Sequence, residues 1–155
     1  MSNIVLQKNV ASLVSVRPGI PHTSWTAGGA GDNTLITGAW IDRFALNLPL
    51  SAVVSTLFTA TLAATKTLSL TTSIEHSPDG GATVAVLAAQ ATTVVATGPA
   101  AGGTLTGHND LALDLTSAFR FVRVKVTPDL SNTATDTATV STAVVFAGES
   151  PLPAA

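Results

Sequence analysis

Three histidines, nine carboxylates and seven Lys or Arg side chains are all that this 155-residue chain offers for proton transfer, metal binding or electrostatic catalysis. His22, His76 and His108 are far apart and lack the short spacings of zinc motifs. His76 with Asp79, and His108 with Asp110, are local pairings that would join a divalent-ion site only if loops converged at one end of the fold. Neither Asp79-Gly80 nor Asn109-Asp110 lies in a loop resembling the multi-oxygen cage that calcium requires. Serine is plentiful, but no Gly-x-Ser-x-Gly elbow occurs. Paired acids for glycoside hydrolysis would have to come from carboxylates that mostly sit in turns. The glycine-rich run Ala27-Gly28-Gly29-Ala30-Gly31-Asp32-Asn33 lacks the Lys-Ser/Thr and the helix start of a phosphate cradle, so it reads as a plain loop. The residues therefore point to a protein that is not an enzyme and holds neither metal nor cofactor.

What remains is binding chemistry. Arg120, Arg123 and Lys125 form a basic cluster, to be read as a salt-bridged strand face or as a contact for an acidic patch on a protein partner. Three charges on a chain of formal net charge −2 argue against nucleic acid and anionic membranes. Trp25 and Trp40 have the chemistry to stack on a sugar, but one buried Trp and one interfacial Trp is the commoner outcome.

Charged residues make up 10% of the chain, against about 25% in an ordinary domain. Ala and Thr together account for about a third. Thr is β-branched and tolerates either face of a pleated sheet, so the bias favours strands. A surface so poor in charge is kept soluble by hydroxyls or is partly covered by partners. The absence of cysteine removes disulfides, thiolate nucleophiles and Cys-ligated zinc. The start, MSNIVLQKNVAS, lacks a charged region followed by a long apolar run, so it does not read as a secretion signal. The most apolar window, residues 85–96, is too short to span a bilayer.

The elements that would position these residues are strands. In Phe119–Gly148, Val122, Val124 and Val126 alternate with Arg123 and Lys125, and Ala138, Val140, Val144 and Phe146 alternate with Thr and Ser. Thr127-Pro128-Asp129 and Ser131-Asn132-Thr133 supply turn chemistry, which predicts a long hairpin with both apolar rows in the core. Arg120 and Phe121 break the phase, which predicts either a bulge or a covered charged face. A second hairpin is expected where Leu68, Leu70, Thr72 and Ile74 run into Ser77-Pro78-Asp79-Gly80-Gly81. Residues 83–97 would return as an apolar strand, buried on both sides or paired with a partner chain. Residues 34–48 read as a strand with Trp40, Phe44, Leu46 and Leu48 on one side. Residues 52–64 read as a strand on their Thr content despite their alanines, and Leu111, Leu113 and Leu115 mark a short one. Residues 1–17 form an N-terminal arm or first strand, and residues 18–155 form the sandwich domain. Seven or eight strands without a convincing helix or internal repeat make an all-β, single-domain β-sandwich, with a jelly roll the natural subtype.

The pattern RFVRVKVTPDLSNTATDTATVSTAVVFAG (residues 120–148), with IEHSPDGG (residues 74–81), resembles small virion structural proteins of tailed bacteriophages, head decoration or capsid-stabilising proteins in particular. These motifs cover about a quarter of the chain. The resemblance implies a protein made in the host cytoplasm that sits on the capsid exterior, binds many copies of the major capsid protein and reinforces the shell. It also implies a homo-oligomer, a trimer or dimer, that gains avidity from repeated modest contacts. Contacts are expected at Ile4, Val5, Leu6 and Arg17, where an extended arm would add a strand to a neighbour, and at Arg123 and Lys125. A tail- or baseplate-associated binding module stays open as an alternative. A carbohydrate-binding sandwich falls within that class, although the absence of Tyr speaks against it.

Overall fold

Alternate residues along most of the chain are apolar or small, and a pleated strand sends alternate side chains to opposite faces, so each such run buries one row and exposes the other. The computed structural model describes residues 10–131 and 135–148, and among these no α-helix forms. Eleven strands do: β1 (Val14–Pro18), β2 (Thr23–Thr26), β3 (Ile36–Thr37), β4 (Ile41–Asp42), β5 (Ser51–Leu62), β6 (Thr67–Ser77), β7 (Ala85–Ala89), β8 (Thr93–Thr97), β9 (Gly103–Asp114), β10 (Phe121–Leu130) and β11 (Thr137–Ala147). Short 3-10 turns cover Val10–Ser12 and Phe44–Leu46.

The strands form two antiparallel sheets. In the first, β1 and β2 share one edge of β11, followed by β5 and then β9. In the second, β3 and β4 share one edge of β10, followed by β6, whose far edge carries β7 and β8. Counting each split strand once leaves eight lanes. The first pairs with the last, the second with the seventh, the third with the sixth and the fourth with the fifth. This nested pairing is a strand ribbon rolled onto itself, so the expected all-β sandwich is a jelly roll.

The core lies between the sheets. Phe58, Ala60, Leu62, Val140, Val144 and Phe146 from the first sheet meet Leu68, Leu70, Ile74, Val122, Val124 and Val126 from the second, all buried. Each fully buried Val, Leu or Phe contributes about 1.5–3 kcal/mol relative to exposure. The first two lanes are both broken at glycines, and the two breaks touch. Gly19 hands β1 over to β2, and its N–H donates to Thr142 O while Thr142 N–H donates to Ile20 O. A Cβ on Gly38 would lie 2.3 Å from Gly19 O, so only glycine fits there.

Several expectations are corrected. Residues 119–148 are not a hairpin: β10 pairs with β6, β3 and β4, whereas β11 pairs with β5, β1 and β2. Both strands carry a complete buried row, and alternation is the same in a hairpin as in a crossover between facing sheets. No bulge accompanies Phe121; Arg120 precedes β10, and the charged face of that strand is partly covered. Residues 34–48 split into β3, β4 and a 3-10 turn: the strand breaks at Gly38, and Asn47 and Leu48 end the turn with positive φ (57° and 52°). Leu46 is buried there while Phe44 is exposed, so the expected apolar row does not exist. Residues 83–97 split into β7 and β8 and lie at a sheet edge, largely exposed. The short Leu111–Leu115 strand is the end of the twelve-residue β9. The strand reading of residues 52–64, the turn at residues 77–81 and the predicted core rows of β10 and β11 hold.

One buried cation ties the loops at one end of the sandwich. Arg43 is 3% exposed. Its Nη1 donates to Ala118 O and, at 2.9 Å, to Phe119 O, and its Nη2 donates to Pro49 O at 2.7 Å and Leu115 O at 2.9 Å. Burial pushes the guanidinium pKa down from its ordinary value. Arg43→Met would take a donor from four carbonyls, of which Leu115 O keeps the Ala118 N–H. It is expected to lower the unfolding free energy by at least about 3 kcal/mol, measured by urea titration.

Candidate protein-binding surface

The outward rows of the first sheet form a broad face whose composition follows from register. Val16 lies opposite Val145, Val145 opposite Val53 and Val53 opposite Ala112, so one apolar stripe crosses all four lanes. Val16 is 55% exposed and Val53 38%, and two rows along β5 from Val53, beyond Ser55, stands Leu57, 50% exposed. Further along come two hydroxyl rows, Ser24–Thr139–Thr59–Thr106 and Thr26–Thr137–Thr61–Thr104. Hydroxyls within them bond to each other, Ser24 to Thr139 at 3.2 Å and Thr61 to Thr104 at 2.8 Å. Carboxylates on this face are confined to the β9 margin, at Asp110 and Asp114 beside His108, while His22 stands just before β2. A depression of about 370 Å³ lined by His22, Leu57, Thr59, Thr106, Thr139 and Ser141 opens on this face. An apolar stripe flanked by uncharged hydroxyl rows has the charge-depleted composition of a protein interface.

The second sheet carries the opposite chemistry. Arg123 lies directly across from Glu75, with Nη2 2.7 Å from Oε2, and Lys125 Nζ reaches Oε1 at 2.8 Å. The Arg123 guanidinium stacks 4.3 Å from the centre of the Trp40 ring. Arg120 grips Asp42 through two bonds of 2.9 and 2.6 Å and lies 4.8 Å from the Phe121 ring centre and 5.4 Å from that of Phe44. This bond to Arg120 is the main cause that holds the Asp42 carboxyl below its ordinary pKa, and it raises that of Arg120. Around the corner, Arg17, Pro18, Trp40, Asp42 and Leu46 line a cleft of about 300 Å³ between the two sheet edges.

No protein-family model and no curated protein matches the chain. Solved structures do, at low identity. The structure of infectious bursal disease virus strain Gx aligns at 13% identity and TM-score 0.45 over 90% of this chain and 34% of that one. Strain Gt aligns at 15% and 0.46 over 87% and 33%. The chain thus spans about a third of the length of these viral chains. The endospore appendages of Bacillus, a family of disulfide-linked pili, align at 14% and 0.32 over 88% of this chain and 92% of that one.

Of the residues singled out in the sequence, Ile4, Val5 and Leu6 lie outside the described residues. Arg17 lies on β1 and faces the edge cleft, its Nη1 donating to Val16 O at 2.9 Å. Arg123 and Lys125 are three-quarters or more covered and bonded to Glu75, the geometry of a salt-bridged strand face. Trp25 is buried, and Trp40 is half-covered against Arg123. His76 turns to Phe119, its Nδ1 accepting the Phe119 N–H at 3.2 Å and its ring centre 4.5 Å from that of Phe119, while Asp79 accepts from Ser77. His108 Nε2 stands 3.7 Å from Asp110 Oδ2. Among the described residues no three His, Asp or Glu side chains converge on a metal position. Glu75 is the residue that sequence reasoning missed; its signal was its offset in the middle hairpin, legible only once β6 is set beside β10.

Burial alone would push the Glu75 carboxyl up, but the hydrogen bonds and charges of Lys125 and Arg123 outweigh it and hold the pKa below 4.5. A carboxylate whose folded pKa is depressed stabilises the fold above its unfolded value and loses that contribution as pH falls through the folded value. The stability difference between the wild type and Glu75→Gln is therefore expected to be constant at neutral pH and to shrink below pH 4.5, read from urea midpoints across that range.

Proposed function

We propose that this chain is a non-enzymatic structural protein of a virion, seated on the outside of a phage shell, where it stabilises the shell by bridging capsid subunits. The observation that carries the reading is the outer face of the first sheet. Three of its four lanes present no charge outward, and the Val16–Val145–Val53–Ala112 stripe crosses all four lanes near one end. A chain that leaves so continuous an uncharged face in water gains by covering it with another protein. The jelly-roll wiring, which recurs in viral capsid domains, and the resemblance of residues 120–148 to phage decoration proteins support the choice of partner. Sugar stacking is disfavoured, because Trp25 is buried and Trp40 is engaged with Arg123.

Bridging follows from geometry and repetition. A shell offers many identical sites, so a modest contact per copy becomes strong when one assembly touches several subunits at once. Val53→Lys and Leu57→Lys place a charge on the face without entering the core. Each is expected to leave the unfolding midpoint within a few degrees of wild type while lowering binding to particles stripped of this chain at least tenfold, measured by co-sedimentation. Rebinding of the wild type should raise the temperature at which the stripped particles break open. Stripped particles that neither rebind the chain nor gain stability from it would overturn the reading.

A further inference from the structure

Three of the four sheet edges are interrupted. The β1/β2 edge breaks at Gly19, the β3/β4 edge breaks at Gly38, and the β7/β8 edge carries register shifts opposite Ile74/Glu75 and Leu68/Ser69. Splits, prolines and bulges of this kind keep an edge from templating another strand. The fourth edge is different. β9 pairs with β5 through twelve consecutive residues with no register shift, contains neither Pro nor Lys, and has no strand partner on its other side among the described residues.

The direction of its peptide groups is set by a neighbouring bond. Leu115 N–H donates to Leu50 O at 2.9 Å, one step beyond the Ser51–Asp114 pair. Hydrogen-bonded pairs alternate in an antiparallel ladder, so Leu113, Leu111, Asn109, Gly107 and Leu105 bond to β5. Thr104, Thr106, His108, Asp110 and Ala112 therefore turn N–H and C=O to the open edge.

We propose that β9 pairs with β9 of a second copy of this chain, antiparallel across a twofold axis at Asn109, giving one continuous eight-lane sheet. The register is set by complementarity. With Asn109 opposite Asn109 of the partner subunit, the outward-turned peptides meet one another, and each His108 faces Asp110 of the partner subunit, an imidazole N–H donor opposite a carboxylate acceptor. Thr104 then faces Asp114 of the partner subunit. Sliding by one permitted step either way sets His108 against its own copy or Asp110 against its own copy. On the inward side Leu105 meets Leu113 of the partner subunit, which covers a part-buried Leu at the end of the core. A twofold contact of this kind is self-complementary and closed, so it stops at two copies. In placing the dimer on a shell the inference rests on the function proposed above, and there it sets two uncharged faces side by side, with the His108, Asp110 and Asp114 rows between them; the dimer itself is tested on the purified chain alone.

Sedimentation equilibrium of the full chain is expected to give the mass of a dimer at pH 7. Ala112→Pro removes an N–H that bonds nothing within the fold, and it should give a monomer whose unfolding midpoint stays within a few degrees of wild type. His108→Asp and Asp110→His should each weaken dimerisation at least tenfold, and the double exchange should restore it, because each position always faces the other. A wild type that remains monomeric at about 100 µM, or a folded Ala112→Pro that remains a dimer, overturns the proposal. Single variants that dissociate without rescue by the double exchange overturn the register. A dimer that forms as described but does not bind stripped particles counts against the shell function and leaves the pairing standing.

Discussion

Wherever a chain crosses between two facing sheets it leaves peptide groups that no ladder satisfies, and burying them unpaired costs more than most single contacts return. In this protein ionised side chains take those groups. Arg43 collects four carbonyls from the segments that lead into β5 and out of β9. Asp136 accepts the Ala63 N–H at 2.9 Å while its own carbonyl accepts that of Ala27, joining the entry of β11 to the ends of β2 and β5. Asp32 accepts from Gly28 at 2.7 Å and from Leu130 at 2.9 Å, fastening the glycine-rich loop to the end of β10. Asp79 does the same for a hairpin turn within the second sheet, closing the β6–β7 connection through Thr83, Ser77 and Gly81, bonds that hold its pKa far below the usual carboxylate range. The rolled topology depends on these clamps because it has so many crossings.

The same use of charge explains the surface. A chain with 10% charged residues that commits Arg43, Asp32, Asp79 and Asp136 to loops, and Glu75 with Arg123 and Lys125 to one strand face, has few left for its exterior. The first sheet is consequently covered by hydroxyls and small apolar groups. Thr suits this position twice over: its branch favours the extended backbone, and its hydroxyl bonds to a neighbouring Thr across the strands. Such a face stays hydrated when free, yet sheds water at lower cost than a charged face does when a partner arrives.

The all-β class and the buried rows were legible in the sequence because period-2 alternation is a local property. Val122, Val124, Val126, Val140, Val144 and Phe146 announced themselves by spacing alone. Pairing is a long-range property, and the alternation of β10 and β11 is compatible with one sheet or two, so the crossover between them was illegible. The first two-thirds of β9, before Leu111, escaped notice because an edge strand buries less. Its inward positions Gly103, Leu105, Gly107 and Asn109 are only part-buried and need not be apolar, and a Cβ on Gly107 would lie 2.7 Å from the Phe58 ring. Arg43 was invisible for another reason: a lone Arg between Asp42 and Phe44 has the pattern of a surface residue, and three of its four partners are distant in sequence.

The candidate face is also a late product of folding. Its apolar stripe takes Val16 from the first lane, Val53 from the third, Ala112 from the sixth and Val145 from the last. Loop-closure entropy must be met before such distant pairs form, so β1 on β11 is among the costliest contacts of the chain. A partly folded chain with β5 and β9 paired, but β1 and β11 not yet joined, would present only half of the stripe. A partner that reads the whole stripe therefore reads completion of the roll, and affinity is coupled to folding without any moving part.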